Sequence, residues 1–164
     1  MPVHPAVLSA DDLIEVSMHT VRVMFGRELQ AQGPPDPGRM SAMSFVHITG
    51  DALLSVQVVT SRAFAEQAAA AVFQLPPADL DDELIADALG ELANVVGGAV
   101  KALLGVDAAL SLPMVTLDAS TTHLPGAEVT QCVNLGDNQD TVIVRIWQGR
   151  PATGTDTTGK GLCA

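Results

Sequence analysis

Apolar residues between positions 80 and 104 recur with a helical period. Advancing about 100° per residue, Ile85, Ala88, Leu89, Leu92, Val96, Ala99, Val100 and Leu103 fall on one stripe, as a helix packed on a core requires. Asp87, Glu91, Asn94, Gly98 and Lys101 cluster on the other side, within an arc of about 80°. Asp79, Asp81 and Asp82 offer capping oxygens and negative charge at the start of this helix, and Lys101 and Gly105 suit its end. Gly90, Gly97 and Gly98 each weaken a helix interior by about 1 kcal/mol relative to Ala. Something is therefore expected to pack close to this backbone.

The pattern elsewhere predicts a first helix over 10–31, capped by Ser9 or Asp11, with Leu13, Val16, Val21, Met24 and Phe25 as apolar positions. Gly33-Pro-Pro-Asp-Pro-Gly38 lies in an exposed loop over 32–40. A hairpin follows, 42–49 and 52–59 about a Gly50-Asp51 turn, with Leu54, Val56 and Val58 alternating against Ser55 and Gln57. Ser61 caps an Ala-rich helix to about Gln74, which Pro76-Pro77 stops. After the long helix, strands are predicted over 108–117, 127–135 and 141–147, the last two joined by Gly136-Asp137-Asn138. Residues 1–148 read as a single domain, and 149–164, rich in Gly, Thr and Pro, as a flexible tail. Helix then hairpin occurs in each half, which suggests an internal duplication. Asp11, Glu15 and Met18 repeat the spacing of Asp87, Glu91 and Asn94 with a thioether in place of the amide, so a site built on this frame would be single.

Composition narrows the functions available. A net charge of −11, with only 8 scattered Lys and Arg, argues against a nucleic-acid surface. The chain has no Tyr, one Trp and four Phe, too few for the stacking platforms of single-strand binders. Charges interrupt every apolar run before membrane-spanning length. Cys132 and Cys163, without a basic-apolar leader, read as lone thiols of a reduced, cytoplasmic chain, Cys132 as a small buried hydrophobe on a strand. The four His residues are dispersed, and Glu15 with His19 supply too few ligands for a zinc site, so no metal site is expected. Neither a phosphate-cradling loop nor a nucleophile elbow occurs.

The long helix also carries a motif. Asp87, Glu91 and Asn94, the Val-Val-Gly-Gly-Ala run after them, and Ser111-Leu112-Pro113 resemble the signature of the CheC and CheX chemotaxis phosphatases, CheX more closely. That signature is an Asp or Ser, three residues, Glu, two residues, Asn, and a later Pro. Element order extends the resemblance, more loosely, from Asp12 to Trp147. One departure is that 18 residues separate Asn94 from Pro113, somewhat fewer than usual, which bears on the loop after the helix rather than on Glu91 or Asn94.

The resemblance implies an α+β fold with an antiparallel sheet packed against long helices, and a homodimer joined through sheet edges. It implies an enzyme that hydrolyses the aspartyl phosphate of a CheY-like response-regulator receiver domain. Asn94 would hold the attacking water in line with phosphorus, and Glu91 would pair with the receiver's active-site Lys. Mg²⁺ is expected on the receiver, and no cofactor on this chain. Glu91 and Asn94, at i and i+3, are able to enter one crevice on the partner. Gly98 adds no bulk a turn later, and Asp87 stands at the edge of the same face. The competing reading is a non-catalytic dimerisation or docking module of a signalling or flagellar-switch assembly. The amide of Asn94 argues against it, and the lifetime of a phosphorylated receiver discriminates the two.

Overall fold

The computed structural model describes residues 8–51, 53–119 and 124–149. Its elements are α1 (Ala10–Phe25), β1 (Gln30–Ala31), β2 (Ala42–Gly50), β3 (Leu53–Thr60), α2 (Arg62–Phe73), α3 (Asp82–Leu104), β4 (Ala108–Leu110), β5 (Met114–Thr116), β6 (Ala127–Gly136) and β7 (Thr141–Gly149), with short 3₁₀ turns at Pro37–Arg39 and Pro77–Asp79. The strands form one sheet in the order β1-β6-β7-β3-β2-β4, with β5 also on β2, and every pairing is antiparallel. In each half a helix leads to short edge strands that pair with the other half's hairpin, β1 with β6, and β4 and β5 with β2. The hairpins meet centrally, where Val58 faces Val144.

Side-chain alternation along the strands sends Val46, Ile48, Val56, Val58, Val133, Leu135, Val142, Val144 and Ile146 to one face, where α1, α2 and α3 pack and the main core forms. The opposite face is less polar than simple alternation predicts. Met40, Val59 and Ile143 form a small cluster there. Gln57 is also fully buried, its Oε1 accepting from Trp147 Nε1 at 2.8 Å. Burial without water leaves the amide dependent on such partners.

Helix ends follow local chemistry. Ser9 and Asp12 form a capping box on α1, and the hydrogen bonds from Ser9 hold the Asp12 carboxyl below its ordinary value. The expectation of a helix to residue 31 is corrected: Gly26 ends it in the left-handed region at φ 67°, its N–H bonding back to Arg22. Residues 30 and 31 instead pair with β6. The single strand predicted over 108–117 is also corrected, because it is split at Ser111–Pro113. Pro113 has no N–H for a ladder, while Ser111 holds the bulge by donating to the His47 carbonyl and accepting from the His47 N–H, both at 2.9 Å.

Beyond α1, a polar hub fastens three elements. Arg27 donates to Asp137 and to Asp140, the latter at 3.2 Å, and its guanidinium lies 5.0 Å from the Phe64 ring centroid. Asp140 in turn accepts from the hydroxyl of Ser61, the cap of α2, at 2.9 Å. Burial pushes the Asp137 carboxyl up, but hydrogen bonds from Arg27 and from the Asp140 and Gln139 backbones outweigh it, and the value lies below the ordinary one.

Cys132 is disulfide-bonded, which corrects its reading as a lone thiol and removes the cysteine argument for a reducing compartment. Separation along the chain does not reveal which sulfurs meet in space. Cys163 and the tail from 150 onward lie outside the described residues. Among the described residues, no helix is long and apolar enough to cross a membrane.

Candidate functional site

The candidate site stands on α3. Asp81 caps this helix by accepting from the Leu84 N–H at 2.9 Å, Asp82 and Glu83 occupy the first turn, and Lys101 the last. Carboxylates at the start and an ammonium at the end complement the helix dipole. Ile85, Ala88, Leu89, Leu92, Ala93, Val96, Val100 and Leu104 are buried. The buried stripe differs from the expected one at its end, where Leu104 is inside and Leu103 is 45% exposed.

The polar face is where the spacing put it. Asp87 and Glu91 are exposed, and Asn94, Gly98 and Lys101 are half-buried at the surface. Among the described residues, no side-chain hydrogen bond or ion pair engages Asp87, Glu91 or Asn94. A carboxylate and a carboxamide one turn apart thus reach the surface, the first exposed and the second half-buried, with no side-chain partner among the described residues. An amide both donates and accepts, so it can hold a water without changing its charge.

The glycines divide by environment. A Cβ on Gly97 would collide with Val46 Cγ2, and one on Gly90 would lie 3.2 Å from Pro113 Cγ and 3.3 Å from Val115 Cγ2. These two residues let α3 sit close to β2 and β5. A Cβ on Gly98 would meet nothing within 4 Å. Close packing within the fold therefore accounts for Gly90 and Gly97, whereas Gly98 leaves empty space on the outward face.

Sequence reasoning missed what stands beside Glu91. An open crevice of about 550 Å³ is lined by Val72 and Phe73 from the end of α2, by Ala86, Asp87, Gly90 and Glu91, and by Pro113 and Val115. Its walls come from three segments distant in sequence, and only the position of Pro113 hinted at it. A smaller cavity of about 160 Å³ lies away from α3, beside the Arg27 hub, with Asp36, Arg39, Asp137 and Asp140 in its lining. Among the described residues, no group of three His, Cys, Asp or Glu side chains is arranged to hold a metal ion.

Comparison with known proteins completes the picture. No curated protein matches the chain. The fold is similar to that of the chemotaxis protein CheX from Vibrio vulnificus, with TM-score 0.70, 18% identity, and 85% of this chain and 98% of that one covered. CheX from Desulfovibrio desulfuricans gives TM-score 0.67 at 20% identity, covering 84% and 96%. A chain of the CheX-CheY-BeF3-Mg²⁺ complex from Borrelia burgdorferi gives 0.67 at 17% identity, covering 86% and 97%. A family model described as chemotaxis phosphatase CheX matches residues 42–133, over half of the chain, and spans Asp87, Glu91, Asn94, Gly98 and Pro113. The chain belongs to the CheX family of chemotaxis phosphatases.

Proposed function

We propose that this protein hydrolyses the aspartyl phosphate of a CheY-like receiver domain, with Asn94 and Glu91 as the groups inserted into the receiver's site. The observation that carries this reading is the placing of the exposed Glu91 and the half-buried Asn94 on the outward face of a helix whose other side is locked into the core. An acyl phosphate is already reactive, so the helper's main task is to place water. The Asn94 amide accepts one water hydrogen and directs the oxygen at phosphorus. A P–O bond forms to that oxygen while the bond from phosphorus to the aspartyl oxygen breaks, leaving inorganic phosphate and a free carboxylate. Glu91 pairs with the receiver's Lys and so fixes the helix in the cleft. Mg²⁺ on the receiver neutralises phosphoryl charge, and this chain needs no cofactor of its own.

Asp87 and Gly98 serve docking in this reading, the first by its charge and the second by the open space above its Cα. The same reading gives a cytoplasmic homodimer joined through a sheet edge. Its support is that β4 and β5 on one side, and β6 beyond its short pairing with β1 on the other, end the sheet.

Phosphate release from a CheY-like receiver phosphorylated by acetyl phosphate, with Mg²⁺ present, is the test. Asn94→Ala is expected to abolish the stimulation while the receiver still binds, and Glu91→Ala to weaken both binding and turnover. Unchanged turnover in both variants discards the assignment.

A further inference from the structure

The geometry points to the crevice beside Glu91 as a pocket for an apolar side chain of the receiver domain, with Asp87 on its rim taking a cation from the same segment. This inference rests on the function proposed above and adds a contact outside the reaction centre that selects the partner.

The lining divides by chemistry. Val72, Phe73, Ala86, Gly90, Pro113 and Val115 are apolar, and the ionisable groups among the lining residues are the carboxylates of Asp87 and Glu91. Gly90 allows Pro113 and Val115 to close directly on α3, so the pocket has a firm wall on that side. Val72 is 39% exposed, and Leu112, next to Pro113 in the chain, is 87% exposed. Apolar surface left open next to polar groups is the pattern of an association site rather than of a finished core.

Charge decides the occupant. Arg62 of α2 is already engaged by Glu66 at 3.0 Å and by Asp82, so it does not neutralise the rim. Among the described residues, neither Asp87 nor Glu91 has an ion-pair partner. A second copy would bring another acidic rim and a net charge of −11 against the first. A partner segment with an apolar side chain beside a Lys or Arg satisfies both walls and rim. With Glu91 reserved for the receiver's active-site Lys, Asp87 is the carboxylate left for that second cation.

The test is KM and kcat for phosphate release from the phosphorylated receiver, with sedimentation and thermal melting of each variant. Val72→Asp is expected to raise KM about tenfold, equivalent to ~1.4 kcal/mol, and to change kcat less than twofold. Asp87→Lys is expected to raise KM about fivefold and to flatten its dependence on salt. Val23→Asp, at a 68% exposed position of α1 outside the crevice, serves as the control that leaves both constants unchanged. Should Val72→Asp melt below the assay temperature, Val72→Ala, with an expected rise in KM of about threefold, takes its place.

An unchanged KM in the Val72 variant, with Asn94→Ala still inactive, overturns the pocket and leaves the phosphatase reading intact. Conversion of the Val72 variant from dimer to monomer assigns the crevice to self-association and also overturns the inference. Absence of any stimulation by the unmodified chain overturns both readings.

Discussion

α1 and α3 carry the same frame and use it differently. Asp11, Glu15 and Met18 repeat the spacing of Asp87, Glu91 and Asn94, yet Met18 packs against the main core while Asn94 stays half-buried at the surface, without a side-chain partner among the described residues. The helices are also anchored by different physics. α1 contains no glycine, and the residue just past its cap, Arg27, ties the chain to two carboxylates. α3 is set against the sheet by Gly90 and Gly97, which let β2 and the β4–β5 segment come close. The water-orienting role proposed for Asn94 therefore falls on a helix whose glycines let it lie close to the sheet. A rigid support is what a positioning residue needs.

Substitution at the third position of each frame tests this contrast most strongly. Asn94→Ala is expected to lower receiver-stimulated phosphate release by about 100-fold or more, the usual cost of losing one positioned amide. Met18→Asn, the matching change in α1, is expected to leave release within about twofold and to lower stability by about 1–2 kcal/mol, because it puts an amide where a thioether meets the core. A second active site in Met18→Asn, seen as turnover surviving in the double variant with Asn94→Ala, would break the comparison.

The anchors come next. Arg27→Met is expected to cost about 3 kcal/mol in urea unfolding, since Asp140, with a side chain only 3% exposed, loses its counter-charge. The Asp137 carboxyl lies below its ordinary value in the folded protein, so it stabilises the fold above about pH 4 and ceases to do so as pH falls through the folded value. Arg27→Met should flatten that acid limb of the stability profile. Gly97→Ala is expected to destabilise by about 1–2 kcal/mol, because the clash with Val46 exceeds the gain in helix propensity. Gly98→Ala gives the smallest effect and the opposite sign. With open space at its Cβ, it should stabilise the isolated chain by about 0.5–1 kcal/mol while raising KM for the receiver a few-fold. Equal melting shifts in the two glycine variants would erase the distinction between inward and outward glycines.

Much of this was readable in the chain. The spacing of Asp87, Glu91 and Asn94 against the apolar stripe was enough to put them on the solvent side of one helix. The cap at Ser61 marked where α2 begins, and of the three carboxylates offered at the start of α3, Asp79, Asp81 and Asp82, the structure uses Asp81. Other features escaped because their causes are not local. Gly26 sits in the middle of what periodicity reads as a helix, and only the pairing of Gln30 and Ala31 with β6 explains why the chain turns there. The break at Ser111–Pro113 depends on what β2 offers across the sheet. Gln57 looked like the solvent side of an alternating strand, yet Trp147 from another hairpin meets it. The disulfide at Cys132 was hidden for the same reason.

By itself the sequence determined that there are helices in the three stretches of α1, α2 and α3 and where α2 begins, the hairpins, and the placing of Glu91 and Asn94 on the outward face of α3. These depend on side-chain period and on hydrogen bonds within a few residues, which are written in order along the chain. Only the tertiary structure decided which glycines are packed and which are open, where the strands end, and that α2, α3 and the Pro113 bulge enclose a crevice beside Glu91. Those features arise where segments far apart in sequence come within van der Waals contact, and no local pattern encodes that distance.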